Sequence, residues 1–188
     1  MKILMVDGSG RDGSLNRQFL EAFGQLILAQ APGARLTYVS PVSHPVPNLI
    51  PGLEHSGMAT AACDEVRRLA LLTDAFVIAS PEYNGGPTGS LKNLLDWMSS
   101  PNAAQPKGNP FVMKPTVLLS ASSGSLGGIK GLQVLRLILG HLRALILPEQ
   151  VALSLAHEAF EATGTLKPGL AADLSLTAAQ QLVDYLER

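Results

Sequence analysis

Along this chain the spacing of apolar positions switches repeatedly between a strand-like run and a helix-like period. Ile3-Leu4-Met5-Val6 is short and continuously apolar, as in a strand buried on both faces of a parallel sheet. It ends at Asp7, and a polar, glycine-rich stretch beginning at Gly8 leads into Leu15, Phe19, Phe23, Leu26 and Ile27, which keep helical spacing up to a stop at Pro32-Gly33. Arg35 to Ser40 is rich in β-formers and predicts a second strand; Pro41 to Gly57 carries prolines throughout and predicts a long irregular connection. A helix follows from Met58 to Leu72, with Ala62, Val66, Leu69 and Ala70 as its inner stripe, and then a third strand from Asp74 to Ala79.

That strand stops at Ser80. The Gly- and Pro-rich turn Pro81-Glu82-Tyr83-Asn84-Gly85-Gly86-Pro87 follows, and a helix beginning near Ser90 places Leu91, Leu94, Leu95 and Met98 on one face. After a loop from Ser99 to Pro110, Thr116 to Ser120 predicts a fourth strand, Ala121 to Gly128 another small-residue turn, and Ile129 to Gly140 a helix. The fifth strand is expected over Ala144 to Leu147, and a last helix over Ala171 to Leu186 with Leu174, Leu176, Ala179, Leu182, Val183 and Leu186 apolar. Strands alternating with helices, without an internal repeat, predict a doubly wound α/β fold: one five-stranded parallel sheet spanning residues 1–188 as a single domain. Right-handed crossovers then place helices on both faces. In the strand order 2-1-3-4-5 the polar turns after strands one, three and four converge at one edge, beside the switch point between strands one and three.

Composition narrows the ligand class. A chain of 188 residues with a net charge of −1 and no Lys/Arg cluster lacks the basic face that nucleic acid requires, so small molecules are the expected partners. The single cysteine, Cys63, forms no internal disulfide and suits a reducing compartment. The N-terminal apolar run is too short for a signal peptide, and nothing approaches the roughly 18 apolar residues of a membrane span. A cytoplasmic protein is expected. Only 15% of residues are charged and 46% are hydrophobic, which predicts apolar surface that self-association would cover. The four histidines have no carboxylate or cysteine at ligand spacing, so no metal site is expected.

Gly8-Ser9-Gly10-Arg11-Asp12-Gly13 matches G-x-G-x-x-G between a strand and a helix. A dinucleotide site also needs an acid at the end of the second strand for the ribose hydroxyls, and Ser40-Pro41 supplies none. A Walker loop fails too, because no G-K-[ST] follows the glycines. What the loop offers is Ser9, Arg11, Ser14 and Asn16 around a helix start, which suits a terminal phosphate monoester, with its extra charge and free oxygens. The alternative is an ordinary capped helix, with Ser14 as N-cap and Arg11 in solvent.

Three blocks together resemble the NADPH-dependent FMN reductase family of flavodoxin-like proteins, which includes quinone, azo-dye and chromate reductases. They are Gly8-Ser9-x-Arg11-x-x-Ser14-x-Asn16; Pro81-Glu82-Tyr83-Asn84 with Leu91-Lys92-Asn93 and Asp96-Trp97; and Ala121-Ser122-Ser123-Gly124 with Gly127-Gly128. The resemblance implies FMN as cofactor and NADPH or NADH as co-substrate, with a small acceptor such as a quinone, azo compound, free flavin or chromate. It implies that Ser9, Arg11, Ser14 and Asn16 hold the phosphate, that Pro81, Glu82, Tyr83, Asn84 and Gly85 lie along the flavin ring, and that Ser122, Ser123 and Gly124 meet its pyrimidine side. It also implies a homodimer or homotetramer. Since flavin carries the redox chemistry, no catalytic side chain is expected. Tyr83 either covers the ring or lies at a subunit seam; Lys92, Asn93 and Asp96 are expected to be structural. An electron carrier of the flavodoxin type and a flavin-binding regulatory protein share the fold, but the former needs a strongly acidic docking face. The chain departs from the family pattern at two points: Thr88 separates Pro87 from Gly89, where the family has proline directly before the glycine, and Gly10 replaces a larger apolar residue.

Overall fold

In the computed structural model, which describes residues 1–50, 52, 61–101 and 108–188, the first apolar run is strand β1 (Lys2–Asp7). It pairs in parallel with β2 (Arg35–Val39) on one side and β3 (Ala75–Ala79) on the other. A separate two-stranded antiparallel ribbon, β4 (Glu82–Tyr83) and β5 (Gly86–Pro87), follows β3. β6 (Pro115–Ala121) and β7 (Leu145–Leu153) complete the main sheet, whose order is β2-β1-β3-β6-β7. Counted over these five strands that is 2-1-3-4-5, the flavodoxin-like order expected from the sequence.

Period-two alternation sorts the strand residues into two apolar layers. Ile3, Met5, Val77, Val117 and Leu119 pack against helices α1 (Leu15–Gln30) and, at the chain end, the helix spanning residues 170–186. Leu4, Val6, Phe76, Ile78 and Leu118 pack on the other face against α2 (Ala61–Leu72), α3 (Gly89–Ser99) and α4 (Ile129–His141). The last helix is therefore α5 (Leu170–Leu186). Every residue of β3 is buried, as a strand covered on both faces must be. Among the described residues no helix is long and apolar enough to cross a membrane.

Three expectations need correction. The fifth strand runs on from Leu147 to Leu153: the register slips between Thr116, opposite Ile146, and Leu118, opposite Gln150, so β7 bulges at Pro148 and then resumes pairing. An edge strand tolerates a proline there because the missing N–H belongs to an interrupted stretch of the ladder. In α2 the buried stripe is Cys63, Val66, Arg67 and Ala70, while Ala62 and Leu69 are only half-buried. Arg67 enters the core because its guanidinium donates to the carbonyls of Met98 (2.8 Å) and Gly108 (2.9 Å). In α5 the buried positions are Ser175, Ala178, Ala179, Leu182 and Val183, and Leu174 and Leu176 face outward; the Ser175 hydroxyl is satisfied by the Ala171 carbonyl. The first residues assigned to the second helix, 58–60, and residues 102–107 of the expected loop lie outside the described residues.

Candidate cofactor site

The carboxyl ends of β1, β3 and β6 open onto one cleft lined by Ser9, Arg11, Ser14, Leu15, Asn16, Pro81, Glu82, Tyr83, Ala121, Ser122 and Ser123. All three sequence blocks contribute to it. Of the residues expected at the site, Asn84, Gly85 and Gly124 stand outside this lining, while Leu15 and Ala121 join it. Ala121 opens the third of the sequence blocks, and Leu15 comes in by adjacency in space rather than by residue type.

The loop after β1 enters the cleft at the start of α1. Ser14 is the N-cap of α1, its hydroxyl accepting from the Arg17 N–H at 2.9 Å. Capping is thus observed, as either reading of the loop required. The Ser9 hydroxyl makes only long contacts within the loop, at 3.3 Å from the Arg11 nitrogen and 3.4 Å from the Arg11 carbonyl oxygen. Arg11 is exposed, and among the described residues no hydrogen bond or ion pair holds its guanidinium. Asn16 behaves differently. Its amide donates to the Ala121 carbonyl and accepts from the Ala121 N–H, both at 2.9 Å, so a buried side chain ties the first loop to the end of β6. One amide N–H of Asn16 remains free of these two bonds.

Asp7 closes β1 just below the loop. It is buried, accepts from the Ser9 N–H at 2.9 Å, and burial pushes its carboxyl up to about 6; the Ser9 bond and the nearby Arg17 guanidinium oppose that rise.

The turn after β3 is the β4–β5 hairpin. Tyr83 pairs with Gly86 across Asn84 and Gly85, which have φ of 52° and 77°. Two successive positive φ values make this a type I′ turn, the conformation that an Asn-Gly pair favours; that dipeptide was the available signal for the hairpin. Glu82 reaches across to the start of α4, its carboxylate accepting from the Gly131 N–H at 2.9 Å, a favourable place for negative charge at a helix N-terminus. Tyr83 sits at the rim with 63% of its surface exposed. Beyond the hairpin, Lys92 and Asp96 pair at 2.7 Å one turn apart, and Asn93 and Trp97 both donate to the Pro47 carbonyl, pinning the irregular connection after β2. These residues are structural, as expected.

The third wall is the turn after β6. Ser122 N–H donates to the Leu153 carbonyl, and the Ser122 carbonyl accepts from the Ala156 N–H, so the turn is clamped to the far end of β7. Gly127 is required there: its φ is 61°, and a Cβ would stand 2.8 Å from the Ala152 backbone.

Hydroxyls, one unengaged guanidinium and a helix start at one end of the cleft, with a hairpin and a serine-lined turn at the other, fit a phosphate monoester attached to a planar ring. The comparisons with known proteins agree. The model of the family described as NADPH-dependent FMN reductase matches residues 1–158. The chain belongs to this family. An NAD(P)H-dependent FMN reductase of Pseudomonas aeruginosa is 32% identical over 191 residues, covering 100% of this chain and 96% of that protein. An NAD(P)H:quinone oxidoreductase of Solanum tuberosum is 34% identical over 128 residues, covering 68% of this chain and 62% of the potato protein. In fold, FerB, a flavoenzyme NAD(P)H:(acceptor) oxidoreductase of Paracoccus denitrificans, superposes with a TM-score of 0.80 at 23% identity, covering 99% of this chain and 97% of FerB. The chain spans about 60% of the length of several of the curated relatives it matches, the potato protein among them, and nearly the whole length of the Pseudomonas protein.

Proposed function

We propose that this FMN reductase family member binds FMN in the cleft at the ends of β1, β3 and β6 and passes electrons from a reduced nicotinamide to a small acceptor, with quinones the first class to test. The observation that carries the reading is the convergence of loop 9–16, hairpin 81–83 and turn 121–123 on one cleft. The chemistry such a cofactor supplies is acceptance of a hydride from the nicotinamide and transfer of two electrons onward. The chain's own residues bind and orient. Ser9, Ser14, Arg11 and the spare amide N–H of Asn16 hold the phosphate; Pro81, Glu82, Tyr83, Asn84 and Gly85 flank the ring; Ser122, Ser123 and Gly124 face its polar edge. Glu82 serves through its backbone, since its carboxylate is engaged at α4. No side chain is assigned as acid or base.

Titration of apoprotein with FMN, followed by flavin fluorescence, tests the binding step, because bound flavin is held against the hairpin and its emission is quenched. The expected result is saturable binding at one FMN per chain, bleaching by NADPH or NADH, and recovery of colour on adding a quinone. An apoprotein indifferent to FMN overturns the reading; a parallel screen of azo dyes, free flavin and chromate decides the acceptor class.

The proposal includes a cytoplasmic setting, in which Cys63 stays a buried, reduced thiol, and a homodimer or homotetramer. Support for association comes from Leu126, Val134 and Leu137, apolar and exposed along and beside α4, Leu137 at 76%. Light scattering on the wild type and on Leu137→Asp tests it: the expected outcome is an oligomer that the variant dissociates.

A further inference from the structure

The peptide unit joining Gly8 to Ser9 is gripped at both ends. Its carbonyl oxygen accepts from the Thr88 hydroxyl at 2.6 Å, and its N–H donates to the Asp7 carboxylate at 2.9 Å. Thr88 is 3% exposed and is the N-cap of α3. Besides donating to Gly8, its oxygen accepts from the Leu91 N–H and from the Ser90 hydroxyl, each at 3.1 Å. One hydroxyl carries one proton and two lone pairs, so every hydrogen-bonding capacity of Thr88 is used, and used to join three segments. Gly8 is held from below as well. Its N–H donates to the Ala79 carbonyl at 2.7 Å, and a Cβ on Gly8 would stand 2.8 Å from the Leu91 side chain. The neck of the first loop therefore lies directly on the start of α3, with no room to shift.

We infer that Thr88 is a positioning residue for the phosphate loop: its hydroxyl, with Asp7 at the opposite end of the same peptide, fixes the plane from which Ser9 and Arg11 project into the cleft. This rests on the FMN reading above.

A cap alone would stabilise α3 and nothing else; a tie that orients the phosphate loop sets the preference for FMN over riboflavin, which has the same ring and no phosphate. The test measures dissociation constants of apoprotein for FMN and for riboflavin by fluorescence quenching, with the melting temperature of each apoprotein recorded alongside. Thr88→Val is expected to weaken FMN about tenfold, in line with loss of a hydrogen bond that leaves a buried carbonyl unpaired, while riboflavin changes less than about twofold. Thr88→Ser, which keeps the hydroxyl, restores the FMN preference. Thr88→Gly, a residue well tolerated at a helix N-cap, has no side-chain donor for Gly8; it separates the tie from the cap and decides the matter should Thr88→Val fail to fold. A wild type that ignores FMN overturns the flavin reading itself. A wild type that prefers FMN, with the Val or Gly variant keeping that preference, overturns the tie and leaves Thr88 as a helix cap.

Discussion

The loop after β1 and the hairpin after β3 face each other across the same cleft, and they are held in different ways. The hairpin is fastened by contacts already made: a type I′ turn at Asn84-Gly85, the Glu82 carboxylate on the Gly131 N–H, and Thr88 at its foot. The loop from Ser9 to Gly13 is fixed only at its ends, by the Asp7–Thr88 grip on one side and by Ser14 and Asn16 on the other. Between them Ser9 makes long contacts and Arg11 is exposed at the cleft wall. The contrast is that of a preformed wall against a set of donors that the described residues hold only loosely. Charge-assisted bonds to a phosphate gain most where the donors are not already spent on the protein.

Mutations at the fixed points and at the free donors separate these roles. The largest effect is expected at Asn16. Asn16→Ala strands both the N–H and the C=O of buried Ala121, a loss of about 3 kcal/mol that lowers the melting temperature of the apoprotein by roughly 10 °C. An apoprotein melting within a degree or two of wild type would show that Ala121 finds other partners. Arg11→Ala comes next, with the opposite signature: the melting temperature stays put because the side chain touches no core, while FMN affinity falls by about 10- to 100-fold, the range of a charge-assisted hydrogen bond. Unchanged affinity returns the loop to a plain capped helix.

Asp7 predicts a pH dependence. Its carboxyl is raised by burial from 3.8 to about 6, so between those values the native chain holds the proton more tightly than the unfolded one. Stability from this group is present below 3.8 and is lost as pH rises through about 6, at a cost on the order of 2 kcal/mol once ionised. Asp7→Asn keeps an oxygen for the Ser9 N–H and removes the charge. Its apoprotein should melt higher than wild type at pH 8 and alike at pH 4; equal melting at both refutes the assignment. The smallest effect belongs to the hairpin anchor. Glu82→Ala frees the Gly131 N–H at a cost of about 1 kcal/mol and loosens the hairpin, whereas Glu82→Gln retains an acceptor and most of the stability, which thermal denaturation of both variants resolves.

Apolar periodicity alone made the architecture legible. Continuous runs at residues 3–6 and 75–79 belong to strands covered on both faces, and the turns between runs and helices are where ligand-facing residues accumulate. The doubly wound order followed from the alternation of strands and helices and the handedness of crossovers, and the cleft assembled from the very blocks that carried the family resemblance. Sequence reading failed where tertiary contacts override local preference. The fifth strand, expected to stop at Leu147, runs on through a bulge at Pro148 on the sheet edge, and Arg67, outside the expected inner stripe of α2, finds backbone carbonyls on two other segments.

Residue types along the chain were therefore enough to determine the fold class and the chemical character of the site: hydroxyls and a guanidinium at a helix start, glycines and an Asn-Gly pair opposite them. Which of those groups are left free for a ligand was decided only by the folded chain. Asn16, Glu82 and Thr88 all carry polar atoms at the site, yet the structure engages each with a backbone partner dozens of residues away that only folding brings within 3 Å, leaving Asn16 one amide N–H to spare. Arg11 and Ser9 are left over for the opposite reason: among the described residues no hydrogen bond or ion pair holds the Arg11 guanidinium, and the Ser9 hydroxyl meets the Arg11 backbone only at 3.3 and 3.4 Å.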